Sequence, residues 1–210
     1  MIEYTDQLDL KRDPLWETDV VDRINDFALR EKLVKQYSWA IPNEEALQEL
    51  LKYSPLVEIG AGTGYWAYEL RKRGAVIHAY DEYPPSGEDW SVEEEDQVRN
   101  GKEVRKNWFH RGHPTWTEVQ QGTPDVMREY TAEWNLFLCW PPMSEMAAYA
   151  LGYHRGTYIV YVGESDGGCN ADRLYFKLLS RLYEKVNEVS IPQWSGLHDH
   201  MSVFKRKGRT

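Results

Sequence analysis

The stretch Val57-Glu-Ile-Gly-Ala-Gly-Thr-Gly-Tyr-Trp66 constrains this chain more than any other. An apolar run ends in three glycines at alternate positions, 60, 62 and 64, and two aromatics follow. Leu56–Ile59 reads as a short buried strand. Tyr65–Arg73 reads as a helix, with basic residues in its last turn and Gly74 as its cap. Ala75–Tyr80 reads as a second strand, closed by Asp81. A strand, a helix and a strand in so short a span is a βαβ crossover, which joins parallel neighbours in a sheet. Glycine between the first strand and the helix allows turns and close backbone approach that a Cβ would forbid.

The rest of the chain repeats the alternation. Val20, Val21, Ile24, Phe27, Ala28 and Val34 recur at helical spacing after a Thr18 cap. A second helix follows Pro42, capped by Asn43, with Ala46, Leu47, Leu50 and Leu51 on one face. Further strands are expected at Thr115–Gln120, Trp134–Trp140, Thr157–Gly163, Glu188–Pro192 and Met201–Lys205. Helices are expected at Thr123–Tyr130, Ser144–Leu151 and Asp172–Val186. Residues 82–112 read as an irregular insertion in which the run GEDWSVEEED forms a short solvated helix or a loop. The last two strands are joined by too few residues for a parallel crossover, so they are antiparallel neighbours. The expectation is a doubly wound α/β domain over residues 1–210. It has helices in 1–55 and a sheet core in 56–205, mostly parallel and seven-stranded with a reversed last strand.

Bulk properties narrow the function. A chain of 210 residues suits one sizeable domain. A net charge of −9 weighs against a phosphate-backbone partner without removing it. The basic cluster Lys205, Arg206, Lys207 and Arg209 reads as a solvated tail. No apolar run approaches a membrane span, and the first residues contain no signal-type segment, so the expected compartment is the cytoplasm. The two cysteines form no metal or disulfide pattern, and no metal is expected.

In open α/β sheets, ligands bind beyond the carboxyl ends of the strands, where this glycine loop lies. The dinucleotide pattern G-x-G-x-x-G does not fit, because Tyr65 stands where its third glycine belongs. The pattern Glu58-x-Gly60-x-Gly62-x-Gly64, followed by a helix, a strand and Asp81, resembles instead the first motif of class I S-adenosylmethionine-dependent methyltransferases. The element order from Trp39 to Phe204 is similar to that family's sheet. The resemblance implies S-adenosylmethionine as cofactor, with Glu58, Gly60, Ala61, Gly62, Thr63, Gly64 and Tyr65 forming its loop. It implies that Asp81 holds the ribose hydroxyls, with Glu82 as the alternative. Trp39, with Tyr37 and Pro42, lies where that family closes over the cofactor. Cys139, in the apolar run before the expected site of chemistry, is counted with the cofactor contacts as a buried, inert thiol.

The resemblance also places the chemistry after the fourth strand, at Trp140-Pro141-Pro142-Met143. This is similar to the Asp/Asn/Ser-Pro-Pro-aromatic motif of amino-methyltransferases but departs at both ends. An indole has one donor and no acceptor, so Trp140 cannot hold an amino group as Asp or Asn does. Two more loops open on the same edge. Glu164 and Asp166 follow the fifth strand, and His198, Asp199 and His200 precede the last, where a histidine could act as base. Trp90, Trp108 and Phe109 in the insertion are candidates for a lid. The reading is a methyltransferase acting on a small molecule or a protein. The alternative is a protein that binds S-adenosylmethionine without transferring methyl.

Overall fold

The computed structural model describes residues 20–107, 109, 110, 112–194 and 196–208, with backbone alone for 20–27. The Thr18 cap, the side chains of Val20, Val21, Ile24 and Phe27, the lid candidate Trp108 and the tail residue Arg209 lie outside the described residues.

Seven strands form one sheet: β1 (Leu56–Ile59), β2 (Ile77–Asp81), β3 (Gln120–Gln121), β4 (Asn135–Cys139), β5 (Tyr158–Gly163), β6 (Tyr183–Ser190) and β7 (His200–Arg206). Their spatial order is β3-β2-β1-β4-β5-β7-β6. The first five run parallel, and β7 inserts antiparallel between β5 and β6. This is the expected doubly wound sheet with its reversed last strand. Among the described residues six α-helices accompany it: α1 (Val20–Gln36), α2 (Glu44–Leu51), α3 (Tyr65–Lys72), α4 (Val92–Arg99), α5 (Met146–Tyr153) and α6 (Arg173–Leu182). Asn43 caps α2 by accepting the Ala46 N–H at 2.9 Å.

The period-two alternation of strand side chains splits the core into two layers. Leu56 and Phe137 pack on one face with Leu47, Leu50, Trp66 and Leu70. Val57, Ile59, Leu136 and Leu138 pack on the other with Ala147 and Tyr175. Glu58 is therefore an acid on a core-facing position, at the end of a strand whose four residues are all buried.

Three expectations need correction. The strand expected at Thr115–Gln120 shrinks to Gln120–Gln121. Residues 116–119 instead pack along α3. The Trp116 N–H donates to the Thr63 carbonyl at 2.8 Å, and Arg71 donates to the Thr117 hydroxyl at 2.7 Å. The helix after Thr123 is a 3-10 helix, Pro124–Glu129. The helix expected to run to Val186 ends at Leu182, where Tyr183 turns extended and pairs with Arg206 in β7. Sheet pairing overrides helical periodicity there, although Tyr175, Leu179 and Tyr183 are buried as one row. In the insertion, the run GEDWSVEEED takes the solvated-helix form: it leads into α4, which buries none of its residues and starts with a capping box of Ser91 and Glu94.

Phe137 is fully buried at the centre of the sheet, its ring 5.5 Å from that of Trp66. Phe137→Ala is expected to cost about 3–5 kcal/mol in urea unfolding. A loss below about 1 kcal/mol would be out of keeping with a packed core at that position.

Candidate functional site

The glycine loop is tied to β2 by its backbone. The N–H groups of Gly60 and Ala61 both donate to the Tyr80 carbonyl, at 2.8 and 2.9 Å. The Gly62 N–H donates to Oδ2 of Asp81 at 2.9 Å. Gly60, Gly62 and Gly64 have φ of 76°, 53° and 71°, a region that side chains disfavour. The loop is also crowded by protein. A Cβ at Gly62 would stand 2.5 Å from Nε2 of His110, and one at Gly60 would stand 2.9 Å from Cε of Met146. The bare backbone thus makes room for His110 and Met146 as well as for a ligand.

A cavity of about 600 Å³ opens at the carboxyl ends of β1, β2 and β4, within the roughly 300–1000 Å³ usual for ligand sites. Of the expected cofactor residues, it brings together Glu58, Gly60, Ala61, Gly62, Asp81, Glu82, Trp39 and Cys139. It does not include Thr63, Gly64 or Tyr65. Thr63 is buried, and its hydroxyl donates to the Tyr37 carbonyl. Gly64 packs against Val119, and Tyr65 lies edge-on to Tyr37 and Trp116. These three anchor the loop from behind.

Asp81 carries three donors. Oδ2 accepts from Gly62, while Oδ1 accepts from the Tyr83 N–H at 3.0 Å and from Asn107 at 3.2 Å. Burial pushes its pKa up against the pull of those donors. Glu58 is more extreme. Burial, reinforced by the nearby Asp81 charge and opposed by Arg71, raises its pKa to about 8. Its Oε2 is buried and has no hydrogen-bond partner among the described residues.

The β4 end is aromatic. Trp140 has φ 51°, a costly conformation for a side chain that large. Two bonds hold it: its N–H donates to the Val162 carbonyl at 2.8 Å, and its indole N–H donates to Oδ1 of Asp199 at 2.9 Å. The ring stacks on Trp39 with centroids 4.9 Å apart. The Arg30 guanidinium lies 5.0 Å from the Trp39 ring and 5.4 Å from that of Trp140. Burial raises the pKa of Asp199 to about 6 and pushes the Cys139 thiol well up. Pro142 lines the cavity, whereas Pro141 is buried and its carbonyl accepts the Ala171 N–H at 2.9 Å.

Glu164 and His198, expected among the catalytic residues, do not line this cavity. The Glu164 carboxylate accepts the Cys169 N–H at 2.8 Å and the His198 N–H at 3.1 Å, which clamps two loops together. Burial pulls its pKa up, but these donors outweigh that and hold it below the usual range. The His198 side chain is 77% exposed and only 3.6 Å from Glu164, so it points to solvent beside the clamp. Sequence reading missed His110, Asn107 and Met146, which reach the loop from distant segments with no local pattern to mark them. It grouped Asp199 with the histidines as a base, whereas Asp199 holds Trp140. Among the described residues, no three His, Cys, Asp or Glu side chains gather as a metal site.

No protein-family model and no curated protein matches the chain. Solved structures resemble it loosely. The magnesium protoporphyrin IX methyltransferase of Synechocystis PCC 6803 with SAM bound is 10% identical, with a TM-score of 0.45, over 97% of this chain and 91% of that one. The N-methyltransferase NodS of Bradyrhizobium japonicum WM9 is 14% identical, with a TM-score of 0.41, over 78% of this chain and 96% of that one. The precorrin-6y C5,15-methyltransferase of Geobacter metallireducens GS-15 is 11% identical, with a TM-score of 0.42, over 82% and 93%. The likeness is one of general architecture, and the bearing on function comes from the site's own geometry.

The raised pKa of Glu58 has a stability signature. Unfolded, it ionises near 4.5; folded, near 8. Between those values the unfolded state binds fewer protons, so stability falls as pH rises, by roughly 1.4 kcal/mol per pH unit from this group. Glu58→Gln removes that slope. Its stability advantage over the native protein in urea unfolding should widen from pH 5 to pH 8. A constant gap would show that Glu58 is not held protonated.

Proposed function

We propose that the protein binds S-adenosylmethionine and transfers its methyl group to a small molecule. The observation that carries this reading is the Asp81 carboxylate latched to the Gly62 backbone at the floor of the cavity. A carboxylate there can take both hydroxyls of a ribose. Asn107, the longest of its three donors and a side chain, is the one to give way. Glu58 offers an unpartnered oxygen beside the same loop, suited to the ammonium of an amino acid. The bare main chain from Gly60 to Gly62 gives the approach that a flat ligand needs.

When bound, the cofactor supplies a methyl group on a sulfonium, which is transferred by in-line displacement. The chain's own part is to position and to exclude water. The aromatic wall of Trp39 and Trp140 does both at the β4 end. Charge favours this ligand over a dinucleotide: Asp81 and Glu82 border the cavity, and a pyrophosphate would face both. Lys106, which also lines it, is paired with Glu94 at 2.8 Å.

Calorimetry with S-adenosylmethionine, S-adenosylhomocysteine and NAD tests the reading. The two adenosyl sulfur compounds should bind and NAD should not; binding of NAD alone would overturn it. Asp81→Ala should weaken S-adenosylhomocysteine by about 1–3 kcal/mol, the scale of hydrogen bonds to a charged group. An Asp81→Ala protein that folds and binds as tightly as the native would remove Asp81 from the ribose role. The second reading, binding without transfer, is favoured by Trp140 standing where an amino-group acceptor is expected. It would be supported if the cofactor binds but no label moves to any acceptor.

A further inference from the structure

α6 carries an outward face that the cavity does not use. Its sequence, RLYFKLLSRL, holds three cations and no acid. Arg173, Lys177 and Arg181 stand four apart, so they form one row along the helix, and all three are exposed. A leucine follows each of them, and Leu174, Leu178 and Leu182 form the row beside it. Tyr175 and Leu179 turn the opposite side into the core, yet Leu174 and Leu182 stay 47% and 38% exposed. The chain has 34 acids against 25 Lys and Arg, and several surface cations take acids as partners: Lys35 pairs with Glu31, Lys52 with Glu49 and Lys185 with Glu188. Among the described residues, Arg173, Lys177 and Arg181 form no ion pair. The acids nearest in sequence are occupied or turned away. Asp172 caps α6 by accepting the Tyr175 N–H at 2.8 Å, and Glu188 holds Lys185 at 2.6 Å. Glu184 alternates with Tyr183, which packs with Tyr175 and Leu179, so it points to the other face of the sheet. Lys207 adds charge at the end of the helix, where its Nζ donates to the Ser180 carbonyl at 2.7 Å.

A row of cations without counter-charges repels itself, and leucines beside it in water are unfavourable. A surface that is anionic outside and apolar beneath relieves both. We propose that α6 seats the protein on an anionic lipid bilayer. Arg173, Lys177 and Arg181 meet the headgroup phosphates, while Leu174 and Leu182 dip toward the acyl boundary. A nucleic acid would use the cations and leave the leucines in water. A folded partner would need a groove shaped to this ridge, whereas acyl chains close around separate side chains without one. The whole chain carries a net charge of −9, so the rest of its surface is repelled by such a bilayer. Screening confines that repulsion to about 8 Å at physiological salt, and the face that touches decides the outcome. The contact is peripheral, since no described helix is long and apolar enough to cross a membrane.

Co-sedimentation of the full chain with vesicles tests this, using phosphatidylcholine alone and an equal mixture of phosphatidylcholine and phosphatidylserine. The protein should pellet with the mixture and stay in solution with phosphatidylcholine. Lys177→Gln with Arg181→Gln should weaken partitioning by roughly twentyfold, about fivefold for each cation. Leu174→Ser with Leu182→Ser should weaken it by about tenfold. Lys32→Gln with Lys52→Gln removes the same charge from helices packed on the other face of the sheet, and should leave partitioning within about twofold. All of these positions are exposed, so the variants should keep the native urea midpoint. A native protein that ignores phosphatidylserine overturns the inference. So does an equal loss in the Lys32 and Lys52 variant, which would reflect net charge alone. Full vesicle binding by the leucine variant overturns it too, leaving a polyanion surface of the kind RNA uses. A native protein that stays off vesicles and runs as a dimer, which the leucine variant breaks, would make the face an interface between copies and would also overturn it.

Discussion

The site hangs on the hydrogen bond from the Gly62 N–H to the Asp81 carboxylate. It joins the loop after β1 to the end of β2, and the Gly60 and Ala61 N–H groups reinforce it on the Tyr80 carbonyl. Positive φ at three alternate residues lets the loop face those acceptors. From behind, the Thr63 hydroxyl ties the loop to the end of α1, and Trp116 closes over the start of α3 through its own bond to the Thr63 carbonyl. The loop is fixed before any ligand arrives, so little ordering cost falls on binding.

The second organising feature is a division of charge. One end of the cavity concentrates carboxylates, of which Glu58 is so deeply buried that it keeps its proton to about pH 8. Leaving an acid oxygen without a partner in a core costs stability, and such costs gather at functional sites. A cationic ligand at that spot would relieve it. The other end presents stacked rings, with Asp199 held on the indole N–H of Trp140. Trp140 adopts its unfavourable backbone angle because the sheet edge and Asp199 both hold it there.

The central sheet is legible in the sequence because apolar runs and turn residues punctuate it. β1 is found at the residues its apolar run predicts, and Asp81 and the glycines meet where a βαβ unit would bring them. What is illegible depends on distant contacts. The β3 segment reads as strand from Thr115 but is spent on packing α3. The start of β6 carries helical periodicity until pairing with β7 overrides it. His110 and Asn107 lie in a segment of low apolar content, and their contacts with Gly62 and Asp81 cross dozens of residues. Glu164 reads as reactive because a glycine-rich polar loop surrounds it, but that loop folds its backbone N–H groups onto the carboxylate.

A crystal structure grown with S-adenosylhomocysteine tests the central claim most directly. The account predicts the ribose hydroxyls on Asp81, the homocysteine end over Gly60 to Gly62, and its amino group beside Glu58. Clear density for the ligand elsewhere, with Asp81 still bonded to Asn107, would contradict it.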